Sequence, residues 1–211
     1  MRKVGLVLIL CICYVQISVS QSTHFFPDIS LAKIIGEEGE YWTPGVGIGI
    51  HIFDDSPTHV SFGIRIAYNR LPPQAEKHME LGGTALFGPY FTTYDYSAES
   101  SSGAFSIIEI LPSMMISPFN DHNSKNLFLG VGLYGLIWDV RVKGTYTSEH
   151  STTKIEIDSP RINKQTKIGI QTGLLFTIKT RLTVKSSYNL ILTDDQVTQY
   201  FTLGIGYKFS K

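Results

Sequence analysis

Histidine, serine and acidic residues are the side chains of this chain that could carry catalysis or bind metal. The histidines are scattered, with no pair at the close spacing of a zinc site: His24, His51, His59, His78, His122 and His150. Glu149-His150-Ser151 offers the three groups of a hydrolase, but neighbouring residues of a strand point to opposite faces. We therefore predict no catalytic residue, no metal site and no cofactor. A lipid-modifying hydrolase of the outer membrane stays as an alternative.

Charged residues within otherwise apolar segments form a second group of interest. Alternation with their neighbours places six of them opposite the large apolar side chains: Asp28, Arg65, Glu109, Lys167, Lys185 and Lys208. If that face lines a narrow barrel, an unpaired charge there costs several kcal/mol, so the charges must find partners. We expect Arg65 and Glu109 to lie on neighbouring strands. With Lys185 they are predicted to form a structural network in the lumen, not a transport path.

Strands must position these charges, and the dominant pattern of the chain is a period of two, which is typical of strands with unlike faces. Between residues 59 and 69, for example, Phe62, Ile64 and Ile66 alternate with Gly63 and Arg65. Segments of this kind predict eight strands, at residues 25–35, 45–53, 59–69, 103–118, 126–140, 166–178, 182–192 and 197–209.

The composition of the two faces favours a barrel in a membrane. No segment after residue 20 approaches 18 consecutive apolar residues, which excludes transmembrane helices. The less apolar face is rich in Gly, Ser and Ala, which fit the interior of an eight-stranded barrel, and the large residues then face lipid. We predict an all-β, eight-stranded antiparallel transmembrane up-and-down β-barrel. An exported soluble lipocalin-like barrel that binds a small apolar ligand is the alternative.

The predicted connections differ in length, as they do in outer-membrane barrels with short periplasmic turns and long external loops. Residues 54–58, 119–125 and 179–181 are short turns, whereas 70–102 and 141–165 are long connections. Segment 79–87 competes with 25–35 for a place in the barrel. We place 79–87 with 90–96 in a hairpin outside the membrane.

Two further features bear on the predicted strands. Pro112 lies inside one of them and implies a β-bulge, because proline removes a donor from the ladder. Aromatic residues near the predicted strand ends suggest interfacial girdles: Trp42, Phe53, Tyr68, Phe119, Trp138 and Phe209.

The first twenty residues have the three parts of a secretory signal. Arg2 and Lys3 precede an apolar stretch at 4–15, and Ser18-Val19-Ser20 suits a signal peptidase. We predict cleavage between Ser20 and Gln21, which leaves a barrel domain at 21–211. Both cysteines lie in the signal, so no disulfide is expected. The 18 basic and 18 acidic residues balance, which argues against a nucleic-acid partner.

The last predicted strand contains Thr202-Leu203-Gly204-Ile205-Gly206-Tyr207-Lys208-Phe209. It resembles the C-terminal β-signal of outer-membrane proteins at Thr202, Gly204, Tyr207 and Phe209, and departs from it by continuing with Ser210-Lys211. The chain also resembles the PorT-like outer membrane β-barrel family, in segments 62–68, 108–112 and 169–175. The resemblance implies an eight-stranded barrel that the barrel assembly machinery inserts, and it brings no catalytic residues.

These features predict a non-enzymatic, monomeric protein integral to the bacterial outer membrane. Its lumen is expected to be filled by side chains, because eight strands are too few for a water-filled channel. Its expected partners are outer-membrane lipid and, during insertion, the barrel assembly machinery. Surface loops are expected to carry an envelope or binding role, since loops on a rigid scaffold commonly carry function.

Overall fold

The fold is built from antiparallel strands that follow the alternating segments of the sequence. The structure, a computed structural model, describes residues 23–54, 59–74, 78–80, 83–87, 90–117, 125–148, 151–178, 181–192 and 197–210. The strands in this part of the chain are β1 (Thr23–Ile35), β2 (Gly45–Asp54), β3 (Val60–Leu71), β4 (His78–Glu80), β5 (Gly83–Phe87), β6 (Tyr90–Ile116), β7 (Lys125–Ser148), β8 (Ser151–Ile178), β9 (Leu182–Leu192), β10 (Val197–Tyr207) and β11 (Phe209–Ser210). A 3₁₀ helix, Glu37–Tyr41, connects β1 to β2. Among the described residues, no helix has the length and apolarity needed to cross a membrane.

Eight of these strands close into a barrel. The order around it is β1, β2, β3, β6, β7, β8, β9 and β10, and β10 returns to pair with β1, where Leu203 lies opposite Leu31. The short β11 continues beyond β10 and places Phe209 opposite Phe25. Closure pairs the first strand with the last and removes the open edges that a flat sheet would expose. The predicted eight-stranded antiparallel barrel is confirmed.

The competition between the two candidate first strands is resolved in favour of the N-terminal segment. β1 pairs with β2 and with β10, so residues 25–35 supply a barrel strand as predicted. The described residues of 79–87 belong to β4 and β5, which in this part of the chain pair with β6 and lie off the closed path. Gly83 lies opposite Tyr94 and Phe87 opposite Tyr90, which is the predicted hairpin outside the barrel.

Three strands are longer than predicted, and this corrects the expected loops at 70–102 and 141–165. β6 begins at Tyr90, β7 continues to Ser148, and β8 begins at Ser151. Asp139 interrupts the row of outward aliphatic residues on β7, close to residue 140, where the predicted strand ended. The backbone ladder continues because antiparallel pairing does not require an apolar outer face. We call the portions of β4 to β8 beyond the barrel the extension.

The expected bulge at Pro112 is absent, which corrects a second prediction. Pro112 lies opposite Ile64 of β3, and the register between β6 and β7 is the same before and after it. The ladder to β7 omits Leu111 and Pro112 without a shift, so the missing proline donor is accommodated within the regular strand. The shift in β6 lies between Ser100 and Ser102, where the strand leaves the barrel.

The two faces of the barrel are assigned as the alternation predicted. On β3, Ser61, Arg65 and Asn69 are buried inside, while Phe62 and Ile66 are exposed outside. The outer surface is covered by large apolar residues on every barrel strand, including Ile29, Leu31, Ile48, Ile110, Leu129, Ile170, Leu203 and Ile205. An exposed apolar surface that encircles a protein needs an apolar solvent or a covering partner.

The lumen contains two apolar clusters, one near each end of the barrel. The upper cluster lies at the end that bears the extension and comprises Ile34, Trp42, Leu71, Phe105, Ile107, Leu111, Tyr134, Leu136, Ile191 and Tyr200. The lower cluster lies at the end with the short turns and comprises Phe26, Phe53, Met115, Phe128 and Leu175. The interior is therefore filled by large side chains as well as by the small residues that were expected.

The clusters also correct the predicted aromatic girdles. Trp42 and Phe53 are buried in the lumen, and Trp138 packs against the upper cluster with its ring stacked on Phe105. Of the predicted girdle residues, Tyr68 and Phe209 are exposed on the outside. Phe119 lies outside the described residues. Position near a strand end did not distinguish the two faces, whereas parity along the strand did.

Candidate functional site

The candidate site is a buried polar network in the middle of the lumen. Its charged members come from four strands: Asp28 from β1, Arg65 from β3, Glu109 from β6 and Lys185 from β9. Each is at least 93% buried, because alternate residues of tilted strands converge on the axis of a narrow barrel. Two acids and two bases leave the group formally neutral.

Arg65 connects the two acids. Its Nε donates to Glu109 Oε2 at 2.8 Å, and its Nη1 donates to Asp28 Oδ2 at 2.8 Å. Lys185 Nζ donates to the other oxygen of Asp28 at 2.7 Å. Arg65 and Glu109 lie on paired strands, as the sequence predicted, and they form an ion pair. The structure adds Asp28, which pairs with both Arg65 and Lys185. Charge-assisted hydrogen bonds of this kind compensate part of the cost of burying the ions.

Glu109 is the most highly coordinated group of the network. Besides Arg65, its carboxylate accepts hydrogen bonds from Asn69 Nδ2 at 2.6 Å, Gln171 Nε2 at 3.1 Å and the Tyr200 hydroxyl at 2.7 Å. These donors come from β3, β8 and β10, so the carboxylate joins strands on several sides of the barrel. A carboxylate with four donors is held in one position and has little freedom to exchange partners.

A neutral branch extends the network toward β9 and β10. Gln171 Nε2 donates to Asn189 Oδ1 at 2.7 Å, and the Tyr134 hydroxyl donates to the same oxygen at 3.1 Å. The hydroxyls of Ser187 and Thr202 are within hydrogen-bond distance at 2.5 Å. Tyr134 and Tyr200 belong to the upper cluster, so their hydroxyls join that cluster to the charges.

Glycines on β2 make room for the long side chains of β3. A Cβ atom built on Gly49 would lie 2.9 Å from Arg65 Nη2 and 2.9 Å from Ala67 Cβ. One built on Gly47 would clash directly with the Asn69 side chain. The glycines predicted to line the lumen are thus required because Arg65 and Asn69 lie across the inner face of β2.

The predicted lumen charges have two different environments. Lys208 is also buried, and its Nζ lies 5.9 Å from the centroid of the Phe26 ring in the lower cluster. Lys167 is half-buried on β8. Neither is among the ion pairs that unite Arg65, Asp28, Glu109 and Lys185. Parity therefore identified the inward face, but it did not distinguish the central network from the charges around it.

His51 lies at an inward position of β2 and packs in the lumen without hydrogen bonds to its ring from the described residues. Its ring is fully buried and has no hydrogen-bond partner for either nitrogen among the described residues. It stacks on Phe53 with ring centroids 5.7 Å apart and meets Phe128 edge-on at 4.9 Å. Aromatic packing therefore positions His51 against the lower cluster.

Several network members were not singled out from the sequence. Gln171, Asn189, Tyr134 and Tyr200 all lie at inward positions of their strands, so polar residues at those positions were the available signal. What the alternation could not supply was the height of each residue within the barrel, on which contacts across the lumen depend.

The remaining predicted site residues belong to the cleavage site, the Glu149-His150-Ser151 group and the assembly signal. Ser20 and Gln21 of the predicted cleavage site, together with Glu149 and His150, lie outside the described residues. In the predicted assembly signal, Thr202 and Gly204 face inward, whereas Tyr207 and Phe209 are exposed outside with ring centroids 4.7 Å apart. Within the described part of the chain, no group of three or more histidine, cysteine or acidic residues could hold a metal ion.

These observations define a closed eight-stranded antiparallel barrel with a filled lumen. Comparison with solved structures finds similar folds. The Ail protein of Yersinia pestis, solved with the heparin analogue sucrose octasulfate, is 15% identical, with 89% of this chain and 97% of that chain covered and a TM-score of 0.40. The N-terminal β-barrel domain of Pseudomonas aeruginosa OprF is 12% identical, with 90% and 98% covered and a TM-score of 0.45. Neisserial surface protein A is 15% identical, with 90% and 98% covered and a TM-score of 0.38.

Comparisons of the sequence do not assign the chain to a family. No family model matches the chain, and no curated protein matches it. The resemblance to the PorT-like family therefore stays a prediction.

Proposed function

We propose that the protein is an integral β-barrel of the bacterial outer membrane, without enzymatic activity. The observation that carries this proposal is the apolar band on the outside of the barrel. On β7 the outward residues Leu127, Leu129 and Val131 begin a run that ends at Ile137, and exposed Asp139 follows. That run rises about 34 Å along the strand, or about 26 Å across a barrel whose strands tilt by about 40°, which matches the apolar band of membrane barrels.

Charged side chains are exposed on the outer surface toward the ends of the barrel. Lys33 on β1, Arg70 on β3 and Lys164 on β8 are exposed toward the extension, among exposed aliphatic residues such as Ile35 and Ile162. At the opposite end the exposed Arg181 precedes β9. Charged residues near the ends of an apolar outer surface suit the interfaces of a hydrocarbon layer.

The distribution of charge supports a membrane barrel over the soluble lipocalin-like alternative. A soluble barrel gains stability by burying its aliphatic residues and exposing its charges. Here Asp28, Arg65, Glu109 and Lys185 are buried, while isoleucines and leucines cover the outside. The lumen also carries the network and the two apolar clusters where a lipocalin would hold its ligand.

The filled lumen supports a role that does not depend on an open pore. The extension, built from β4 and β5 with the ends of β6, β7 and β8, is the part that would project beyond the membrane. We assign the envelope or binding role to this extension, with the short turns in the periplasm and residues 1–20 removed as a signal peptide. The barrel acts as a monomer in outer-membrane lipid.

Fractionation tests the location. We expect the protein in the outer-membrane fraction, resistant to carbonate extraction, released by detergent, and slower in gel mobility after boiling because the barrel then unfolds. Mass spectrometry of that material should give a chain that begins at Gln21. Recovery as a soluble periplasmic protein without detergent would overturn the proposal.

The barrel assembly machinery is the proposed partner during insertion. Phe209→Ala should slow insertion in cells more than it weakens the folded barrel, because exposed Phe209 lies at the end of the last strand and loses little packing. Phe201→Ala, at an exposed aromatic of the preceding strand β10, is the matched control. Equal insertion kinetics for Phe209→Ala and the unaltered chain would refute recognition through this residue.

A further inference from the structure

An open apolar groove of about 490 Å³ crosses the outer surface of β10, β1 and β2. Its lining comprises Pro27, Asp28, Ile29, Ile48, Gly49, Leu182, Ile205, Gly206 and Tyr207. Ile29, Ile48 and Ile205 lie opposite one another on three neighbouring strands and are 63–65% exposed, so they form one wall.

The pairing of the strands explains why the groove is deep at this place. Gly206, Asp28 and Gly49 lie opposite one another on β10, β1 and β2, and all three are inward positions. Backbone alone forms the floor there, while Tyr207, Leu182 and Pro27 contribute the facing wall. The Asp28 carboxylate is engaged by Arg65 and Lys185 in the lumen, so its charge is compensated on the side away from the groove.

A positively charged side chain, that of Arg181, lies at the short-turn end of this groove. Exposed Arg181 directly precedes Leu182, and its Nη1 donates to the Tyr207 hydroxyl at 3.0 Å. The guanidinium carbon lies 6.0 Å from the centroid of the Tyr207 ring. Tyr207 therefore both lines the groove and orients the cation beside it.

We propose that this groove, with Arg181 at its end, binds one phospholipid that carries an anionic headgroup, from the membrane leaflet on the short-turn side. The aliphatic walls fit an acyl chain, and the guanidinium fits a phosphate, since arginine binds phosphate oxygens through paired N–H donors. The site rests on the proposed function, because a phospholipid reaches the groove only if the barrel spans a membrane.

Lipid retention measured by native mass spectrometry tests the site. The full-length folded barrel in non-ionic detergent is titrated with phosphatidylglycerol or phosphatidylethanolamine of identical acyl chains. We expect the first phosphatidylglycerol to be retained at about fivefold lower concentration, the factor that one basic residue near an anionic lipid supplies. Arg181→Gln should remove this preference, whereas Arg70→Gln, at an exposed arginine near the other end of the barrel, should keep it.

A second variant tests the groove itself. Ile48→Phe places a larger side chain in the groove and should weaken retention of the first lipid of either kind. Ile168→Phe, on the far side of the barrel, should not. The proposal would be overturned if both Arg181→Gln and Ile48→Phe left lipid retention unchanged, or if the unaltered barrel bound the two lipids equally. It would also be overturned if the barrel were a dimer that Ile48→Phe dissociates, because a second copy of the chain would then occupy the groove.

Gel mobility before and after boiling, with carbonate extraction of membranes, is measured for each variant. A barrel that folds and inserts but shows no lipid preference refutes the lipid site alone. A protein that never enters a membrane refutes the proposed function.

Discussion

The inner and outer faces of the same barrel strands follow opposite rules. On β3, inward Arg65 and Asn69 each contact specific partners, while outward Ile64 and Ile66 only cover the surface. Inside, the charged groups of the network meet complementary groups at fixed positions, since an unpaired one would carry the full cost of its desolvation, whereas the ring nitrogens of His51 have no partner among the described residues. Outside, a residue needs only to be apolar.

The two faces should tolerate different substitutions. The identity of a lumen residue depends on residues from several other strands, as the four donors around Glu109 show. The identity of an aliphatic outer residue such as Ile66 depends mainly on the surrounding solvent. Inner positions should therefore be sensitive to small chemical changes, and outer positions sensitive only to polarity.

The largest effect is expected at the centre of the network. Arg65→Met should lower the free energy of unfolding by about 3–5 kcal/mol, because it leaves Glu109 and Asp28 buried without their shared cation. Glu109→Gln should also be destabilising, and the double variant should cost less than the sum of the two. Urea unfolding in lipid vesicles measures these values.

Arg70→Met is the matched control for that experiment. Arg70 is exposed on the outside of the same strand, so its loss should change the free energy of unfolding by no more than about 0.5 kcal/mol. Strict additivity of Arg65→Met and Glu109→Gln would show that the two residues are not energetic partners.

The next largest effect is expected from a charge introduced on the apolar outer face. Ile66→Arg places a charge on the exposed face near the middle of β3 and should cost about 2–4 kcal/mol in a bilayer. Ile66→Leu keeps the residue apolar and should be nearly neutral under the same urea assay. If Ile66→Arg were as stable as Ile66→Leu, lipid would not surround this face.

A smaller effect should distinguish two glycines. Gly49→Ala brings a Cβ within 2.9 Å of the Arg65 guanidinium and should cost about 1–3 kcal/mol through overpacking. At Gly135 the nearest atom to a new Cβ is Ile108 Cβ at 3.5 Å, an ordinary contact. Gly135→Ala should therefore be neutral, or stabilising by up to about 1 kcal/mol. Equal losses at the two positions would contradict the packing of Arg65 across β2.

The smallest effect on the barrel is expected from shortening the extension. Residue Lys143 lies opposite Asp158, so residues 144–157 can be replaced by an Asn-Gly turn that keeps the register of β7 and β8. The free energy of unfolding should change by less than about 1 kcal/mol, since the network and both clusters lie within the barrel. Insertion and heat-modified gel mobility measure the result. Loss of insertion would show that the extension is needed to form the barrel.

Much of the fold was predictable because large apolar residues alternate with small or polar residues along the barrel strands. The alternation of Phe62, Ile64 and Ile66 with Gly63 and Arg65 predicted both the strand and its inward face. β9 was predicted with the bounds that it has, Leu182–Leu192. The long ends of β6, β7 and β8 were missed, because those segments are rich in Ser, Thr and charged residues and lack the continuous row of aliphatic residues that marks the barrel strands, while the hydrogen-bond ladder continues.

The network was predictable only in part, for a related reason. Parity identifies the residues that face inward, and it gave Arg65, Glu109 and Lys185 as lumen charges. It does not give their heights, because height depends on strand tilt and on the stagger between neighbours around the closed barrel. The contacts of Asp28 with Lys185, and of Glu109 with Gln171 and Tyr200, follow from that stagger.

Local patterns in the sequence were enough to predict the class of fold, the number of barrel strands and the parity of the strand residues, because a period of two and the polarity of neighbours are local properties. The closed barrel set which inward charges meet, where the two apolar clusters fill the lumen, and that Trp42, which lies outside the alternating strands, packs inside. Closure of β10 on β1 brings together residues as far apart as Asp28 and Lys185. No local pattern carries that information, since the distance between these side chains is set by the geometry of the whole barrel.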